Sequence, residues 1–109
     1  AQENLNVKII VLNNNFLGMV RQWQELFFFF FYSFTEILSP DFIKLADAYG
    51  IPGKSVSDRN DLSKAMREMF ATQGPYFLNV TIEKEDNIFP MVPAGASVSK
   101  VILSADEAN

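Results

Sequence analysis

Val7-Lys8-Ile9-Ile10-Val11-Leu12 is a short, nearly continuous apolar run rich in β-branched residues, and Asn13-Asn14-Asn15 ends it. Unbroken apolarity of this kind predicts a strand buried on both faces, as in a parallel sheet. A helical pattern follows directly. Phe16, Val20, Trp23, Phe27 and Phe30 recur at spacings of three and four, with Gly18 early in the stretch and Met19 beside the stripe. Ser39-Pro40-Asp41 reads as the start of a second helix: Ser39 as cap, Pro40 in the first helical position, Asp41 against the positive end of the dipole. Its apolar face is Phe42, Leu45, Ala46 and Tyr49, and Gly50 supplies the stop.

Ile51 to Ser57 is a weaker strand candidate, since Pro52 and Gly53 interrupt its first half. Asp58 or Asn60 can cap a third helix with Leu62, Ala65, Met66, Met69 and Phe70 on one face. Gly74-Pro75 breaks that helix, and Tyr76 to Ile82 is the second clear strand. Strands alternating with amphipathic helices give an α/β class with an open, mostly parallel sheet. The strands found are fewer than the roughly five to six of a mean sheet, so the layout predicts an incomplete sheet, the C-terminal part of an α/β domain. The division expected is 1–82 for that portion and 83–109 for a C-terminal arm. The arm carries Pro90, Pro93 and a last apolar group, Val98, Val101, Ile102 and Leu103, and is read as extended with a short terminal helix.

Composition removes whole classes of chemistry. The 109 residues contain no Cys and no His, which excludes a disulfide framework, a thiolate nucleophile, a Cys/His zinc site and any imidazole-based triad within the chain. The formal charge is -4 with no basic tract, which argues against nucleic acid or an anionic membrane as partner. The polar N-terminus lacks the layout of a signal peptide, and the longest apolar stretch, Leu26 to Tyr32, falls far short of the about 20 residues of a membrane helix. A cytoplasmic location is the default expectation. Dinucleotide, P-loop, nucleophile-elbow and EF-hand signatures are all missing.

The candidate site is the end of the first strand, because open α/β sheets bind ligands beyond the carboxyl ends of their strands. An Asn amide oxygen coordinates a hard cation such as Mg²⁺, and helix-start N–H groups meet phosphate. The same three Asn also make sense as a turn and an N-cap, and spacing alone leaves both readings open. Met19 and Trp23, one turn apart, suit either a pocket wall for a flat apolar ligand or core packing. The five consecutive Phe from Phe27 to Phe31 must place some rings toward a partner or water, as a subunit contact or as an alteration of the sequence.

The segment Leu12-Asn13-Asn14-Asn15-Phe16-Leu17-Gly18-Met19-Val20-Arg21-Gln22-Trp23-Gln24-Glu25-Leu26-Phe27 resembles the C-terminal part of the catalytic subunit of the acetolactate synthases. The resemblance continues through Pro40-Asp41-Phe42-Ile43-Lys44-Leu45-Ala46 and Phe89-Pro90-Met91-Val92-Pro93-Ala94-Gly95-Ala96-Ser97. It implies a thiamine diphosphate-binding domain in an enzyme that decarboxylates pyruvate and joins the product to pyruvate or 2-oxobutyrate, opening branched-chain amino-acid synthesis. It implies Mg²⁺, and FAD held by a domain outside this sequence. It implies the rest of the catalytic subunit, a homo-oligomer and a regulatory small subunit as partners. By the same resemblance Asn14 ligates Mg²⁺ through its side chain and Phe16 through its carbonyl. Gly18 and Met19 lie against the cofactor, and Met19 and Trp23 line the substrate pocket. The family's Gly-Asp-Gly segment and its catalytic Glu have no counterpart here, so no catalytic residue is assigned and the isolated chain is expected to be inactive. Phe28 to Phe31 replace residues that are usually polar or charged in the family. The alternative from another class is a standalone, non-catalytic α/β interaction module using an exposed Phe surface.

Overall fold

Three parallel strands organise the chain, and their order differs from their sequence. Strand β1 (Lys8–Asn13) and β3 (Tyr76–Thr81) lie side by side in parallel, from Lys8 opposite Tyr76 to Asn13 opposite Thr81. Strand β2 (Gly53–Val56) runs along the other edge of β3, from Gly53 opposite Phe77 to Val56 opposite Val80. The sheet is therefore open, with β3 in the centre. The helices are α1 (Gly18–Phe27), α2 (Phe42–Ala48) and α3 (Arg59–Ala71). This computed structural model describes residues 1–107, so the last two positions of the expected arm lie outside the described residues. The α/β class and the incomplete parallel sheet expected from the sequence are both present.

The chain forms two compact units, Ala1–Asn14 with Leu38–Glu83, and Asn15–Ile37 with Lys84 onward. The first holds the sheet. Its core is Val56, Ala65, Met69, Tyr76 and Leu78, with Leu62, Met66 and Val80 packed against it. Alternate residues of β3 thus meet the expected stripe of α3, each large side chain contributing about 1.5–3 kcal/mol by burial. Phe70 is the exception and faces water. Asp58 caps α3 by accepting from the Asn60 N–H at 2.8 Å. On the opposite face of β3, Phe42 stacks on Phe77 with ring centroids 5.9 Å apart. Gly53 is required there, because a Cβ would sit 2.8 Å from the Phe77 carbonyl oxygen.

Two expectations in this unit are corrected. Strand β1 is not buried on both faces: it is an edge strand, and Ile9, Ile10 and Leu12 are exposed, because α2 and α3 pack on β2 and β3. The cap of α2 is Asp41 rather than Ser39. One Asp41 carboxylate oxygen accepts from the N–H groups of Ile43 and Lys44, each at 3.1 Å, so Pro40 precedes the helix. The buried edge of α2 is Phe42, Ile43 and Ala46, while Leu45 and Tyr49 are exposed. Gly50 ends the helix as expected, at φ 67°.

The second unit contains α1 and the tail. The helix stops at Phe27, so Phe30 belongs to the following turn and not to a helical stripe. Its fully buried residues are Arg21, Gln22 and Leu26, with Val20 exposed. The apolar periodicity therefore located the helix but misplaced its inner face. The tail pairs with itself through an antiparallel bridge between Met91 and Ile102, and both pack with Leu26, Trp23, Phe27 and Phe89. A single 3-10 turn, Ala105–Glu107, stands where a terminal helix was expected.

Candidate functional site

Asn13 ends β1, and its carbonyl accepts from the Ile82 N–H at 3.1 Å, continuing the parallel ladder to its last rung. The Ser39 hydroxyl lies 3.4 Å from the Asn13 Oδ1. Asn14, half-buried, is the last residue of the first unit and stands just beyond the carboxyl end of the strand. That is the place from which an open parallel sheet presents ligand-binding groups.

The second unit starts at Asn15, which takes the left-handed conformation at φ 57°, a setting Asn tolerates better than other side-chain-bearing residues. Its carbonyl accepts from the Ile37 N–H and the Leu17 N–H donates to the Thr35 carbonyl, both at 2.8 Å. Phe16 consequently faces Glu36 in an antiparallel bridge. In such a pair the flanking residues make the bonds, so the Phe16 carbonyl lies on the edge of the ribbon away from Glu36. The Phe16 ring is held as well, with the Arg21 guanidinium 5.8 Å and the Lys84 ammonium 5.2 Å from its centroid.

Helix α1 begins at Gly18 behind Leu17, which provides no side-chain cap, and its first turn contains no acidic residue. The positive end of this helix therefore receives no compensation from its own first turn. Met19 and Trp23 are separated by four residues and share one face. Met19 is 48% exposed. The Trp23 ring is half-buried, tilted 51° to the Phe27 ring at 5.1 Å.

A polar network occupies another side of the same helix. Arg21 Nη1 lies 2.8 Å from Glu25 Oε2, with side-chain exposures of 7% and 15%. The Tyr32 hydroxyl donates to the same Glu25 oxygen at 2.8 Å and accepts from Arg21 Nη2 at 3.2 Å. Asn87 donates to Glu25 Oε1 at 2.7 Å, and Arg21 also donates to the Lys84 carbonyl at 2.9 Å. Burial of Glu25 works against its charge, but the hydrogen bonds from Tyr32 and Asn87 and the adjacent Arg21 outweigh it and hold the carboxyl below its ordinary value. Burial and the Glu25 carboxylate together push the Tyr32 phenol up. Sequence reasoning passed over this network. Its one local signal is the opposite charge of Arg21 and Glu25 at a spacing of four.

The predicted residues thus fall in both units: Asn14 in the first, Phe16, Gly18, Met19 and Trp23 in the second. An apolar cleft of about 310 Å³ in the first unit, lined in part by Leu5, Val7, Ile9, Ile51 and Pro75, contains none of them. Among the described residues there is no group of three or more Asp, Glu, His or Cys suited to hold a metal. The donors on offer are amide and carbonyl oxygens, hard ligands of the type Mg²⁺ accepts alongside phosphate and water.

Residues 1–80, which hold nearly all of the sheet, its Asn-bearing strand end and the helix after it, match the family described as thiamine pyrophosphate enzyme, C-terminal TPP binding domain, and the chain belongs to this family. Its relatives are acetolactate synthases. It is 43% identical over 102 residues to the mitochondrial acetolactate synthase of Schizosaccharomyces pombe, covering 94% of this chain and 15% of that protein. It is equally similar, 43% over 102 residues, to the acetolactate synthase isozyme 2 large subunit of Escherichia coli, covering 93% and 19%. The chloroplastic acetolactate synthase 2 of Nicotiana tabacum is 38% identical over 112 residues, covering 95% and 17%. The thiamine diphosphate-dependent 4-hydroxybenzoylformate decarboxylase of Rhodococcus jostii RHA1 superposes with a TM-score of 0.67 at 28% identity, over 76% of this chain and 16% of that one. The chain thus spans less than a fifth of the length of these relatives. Among the described residues no helix is long and apolar enough to cross a membrane.

Proposed function

We propose that this chain is the part of an acetolactate synthase catalytic subunit that supplies the amide half of the cation site and one wall of the substrate pocket. The observation that carries the reading is 43% identity to acetolactate synthases of a yeast and a bacterium over more than nine-tenths of the chain. In this reading the whole enzyme decarboxylates pyruvate and joins the product to a second pyruvate or to 2-oxobutyrate. Residues 1–82 belong to the cofactor domain and 83–109 form its C-terminal arm. The remainder of the catalytic subunit, a further copy and a regulatory small subunit are its partners, FAD occupies another domain, and the cytoplasm is the working compartment.

The chemistry of the donors fits Mg²⁺ and a diphosphate. Asn14 offers an amide oxygen and Phe16 a carbonyl oxygen, and the carboxylate ligand comes from a Gly-Asp-Gly segment that this sequence lacks. The uncapped start of α1 at Gly18 and Met19 favours negative charge. When bound, thiamine diphosphate supplies the nucleophile and electron sink for decarboxylating a 2-oxo acid. The chain's own residues bind and orient. The bridge at Glu36 and the two cations on its ring fix Phe16. Met19 is a flexible, polarizable surface against a flat ring. Trp23 bounds the space in which the second 2-oxo acid must fit.

The test uses the full-length subunit carrying this chain, with pyruvate, Mg²⁺ and thiamine diphosphate. Acetolactate should form, and Asn14→Ala should raise the Mg²⁺ needed for half-activity by at least about 10- to 100-fold, the loss that removing even an outer-shell partner causes. Formation of a free aldehyde without acetolactate would move the chain to the decarboxylases. The 109-residue chain alone should show neither turnover nor Mg²⁺-dependent binding of the cofactor by calorimetry, and saturable heat would show that its carboxylate lies within this sequence.

A further inference from the structure

Helix α1 has an unusual mooring. Gln22, 2% exposed, donates through Nε2 to the Ile88 carbonyl and accepts through Oε1 from the Ile88 N–H, both at 2.9 Å. The amide thus pairs with one residue's backbone as a strand would, and Nε2 also lies 3.3 Å from the Met91 sulfur. Two further attachments flank it on the same helix, Arg21 to the Lys84 carbonyl and Glu25 to Asn87. Trp23 itself packs on the Leu26, Met91 and Ile102 cluster. Every one of these bonds runs from the helix to the tail.

The geometry makes this a rotational lock. At about 100° per residue, Met19 and Trp23 lie roughly 60° and 100° around the axis from Gln22. An amide that uses donor and acceptor on the backbone of one residue resists turning of the helix, because turning strains both bonds together. A rotation of roughly 20° would swing a side chain at the about 5–6 Å radius of a helix by nearly 2 Å. That displacement exceeds the roughly 1.5 Å length of the carbon–carbon bond that one added methylene brings. Pyruvate and 2-oxobutyrate differ by one methylene.

We propose that Gln22 is a positioning residue that sets the rotation of α1, so that the tail segment Asn87–Met91 determines, through Met19 and Trp23, which second 2-oxo acid is accepted. The proposal deepens the acetolactate synthase reading and rests on it for the identity of the substrates. The lock itself does not.

Three measurements decide it. In the 109-residue chain, hydrogen exchange should find the Ile88 amide protected at least about tenfold over an open chain, a factor of the size one hydrogen bond supplies. Exchange at the open-chain rate overturns the lock without any variant. Gln22→Met keeps the volume and removes both bonds. It should raise acrylamide quenching of Trp23, the single tryptophan of the chain, with far-ultraviolet circular dichroism unchanged, and unaltered quenching overturns the lock. In the full-length subunit supplied with both 2-oxo acids, the same substitution should shift the ratio of 2-aceto-2-hydroxybutyrate to 2-acetolactate by about threefold or more. This is part of the about 10- to 200-fold that one methylene is worth. A fall in both products by the same factor would mark a merely structural role and overturn the specificity claim. Absence of acetolactate from the unsubstituted subunit would sink the functional reading, while exchange and quenching would still judge the lock.

Discussion

The two units hold themselves together by different means. The sheet unit relies on apolar burial, with Leu78, Met69 and Ala65 fully enclosed between β3 and α3. Among the described residues, the apolar cluster in the unit of α1 and the tail encloses Leu26, Met91 and Ile102, and the same unit buries the polar Arg21, Gln22 and Thr35. Both contain a carboxylate paired with a tyrosine and a cation: Glu68 with Tyr76 and Lys54, Glu25 with Tyr32 and Arg21. The Glu68 side chain is 47% exposed and water screens its pairing, whereas that of Glu25 is 15% exposed. Apolar packing is indifferent to pH and tolerant of direction. Buried polar contacts are directional, and they suit the unit whose side chains must be aimed.

The largest effect should separate the units by size of side chain. Leu78→Ala removes the centre of the sheet core and should destabilise the chain by about 2–5 kcal/mol in denaturant titration. A smaller loss would mean that β3 and α3 collapse around the space. Next, Arg21→Met should cost about 2–3 kcal/mol, somewhat less than a fully enclosed pair because Glu25 retains some exposure. The same contrast appears on acidification. A carboxyl held below its unfolded value contributes stability above that value and loses it as pH falls through the folded one. The wild-type protection of the α1 amides should therefore decline below pH 4.5, the ordinary value for Glu25, and that decline should flatten in Arg21→Met. Equal acid sensitivity in both proteins would break the distinction between the units. The smallest effect returns to the sheet unit: Asp58→Ala removes the α3 cap, for about 1 kcal/mol in the same titration and no change at the α1 amides.

Much of the sheet unit was legible because its signals are local. The β-branched run of β1, the stop at Gly50 and the stripe of α3 each follow from residues within a few positions of one another. What failed there was context: the same run of β1 serves an edge strand as readily as a central one, and Asp41 outcompeted Ser39 for the cap. In the other unit the family resemblance singled out Phe16, Gly18, Met19 and Trp23 as candidates, but it did not single out the residues that hold α1 in place. Gln22 meets Ile88 and Glu25 meets Asn87 across more than sixty residues, and no periodicity in a helix announces that its inner face will be polar. The Arg21–Glu25 spacing is one that exposed helix pairs share, and only burial, at 7% and 15% side-chain exposure, makes it structural.

The turn after α1 has a different consequence. Phe29 and Phe30 both adopt left-handed backbone, at φ 51° and 62°, and Phe29 is 93% exposed. Each such residue carries about 1–2 kcal/mol of steric penalty that Gly or Asn would largely avoid. The penalty is local to the turn, since Phe29 and Phe30 are not members of either apolar core cluster. Selection for a stable monomer would thus press on this turn from one side only, toward smaller and more polar residues. Replacing Phe29 and Phe30 by Asn or Gly should therefore relax the turn while leaving the helix just before it as it is.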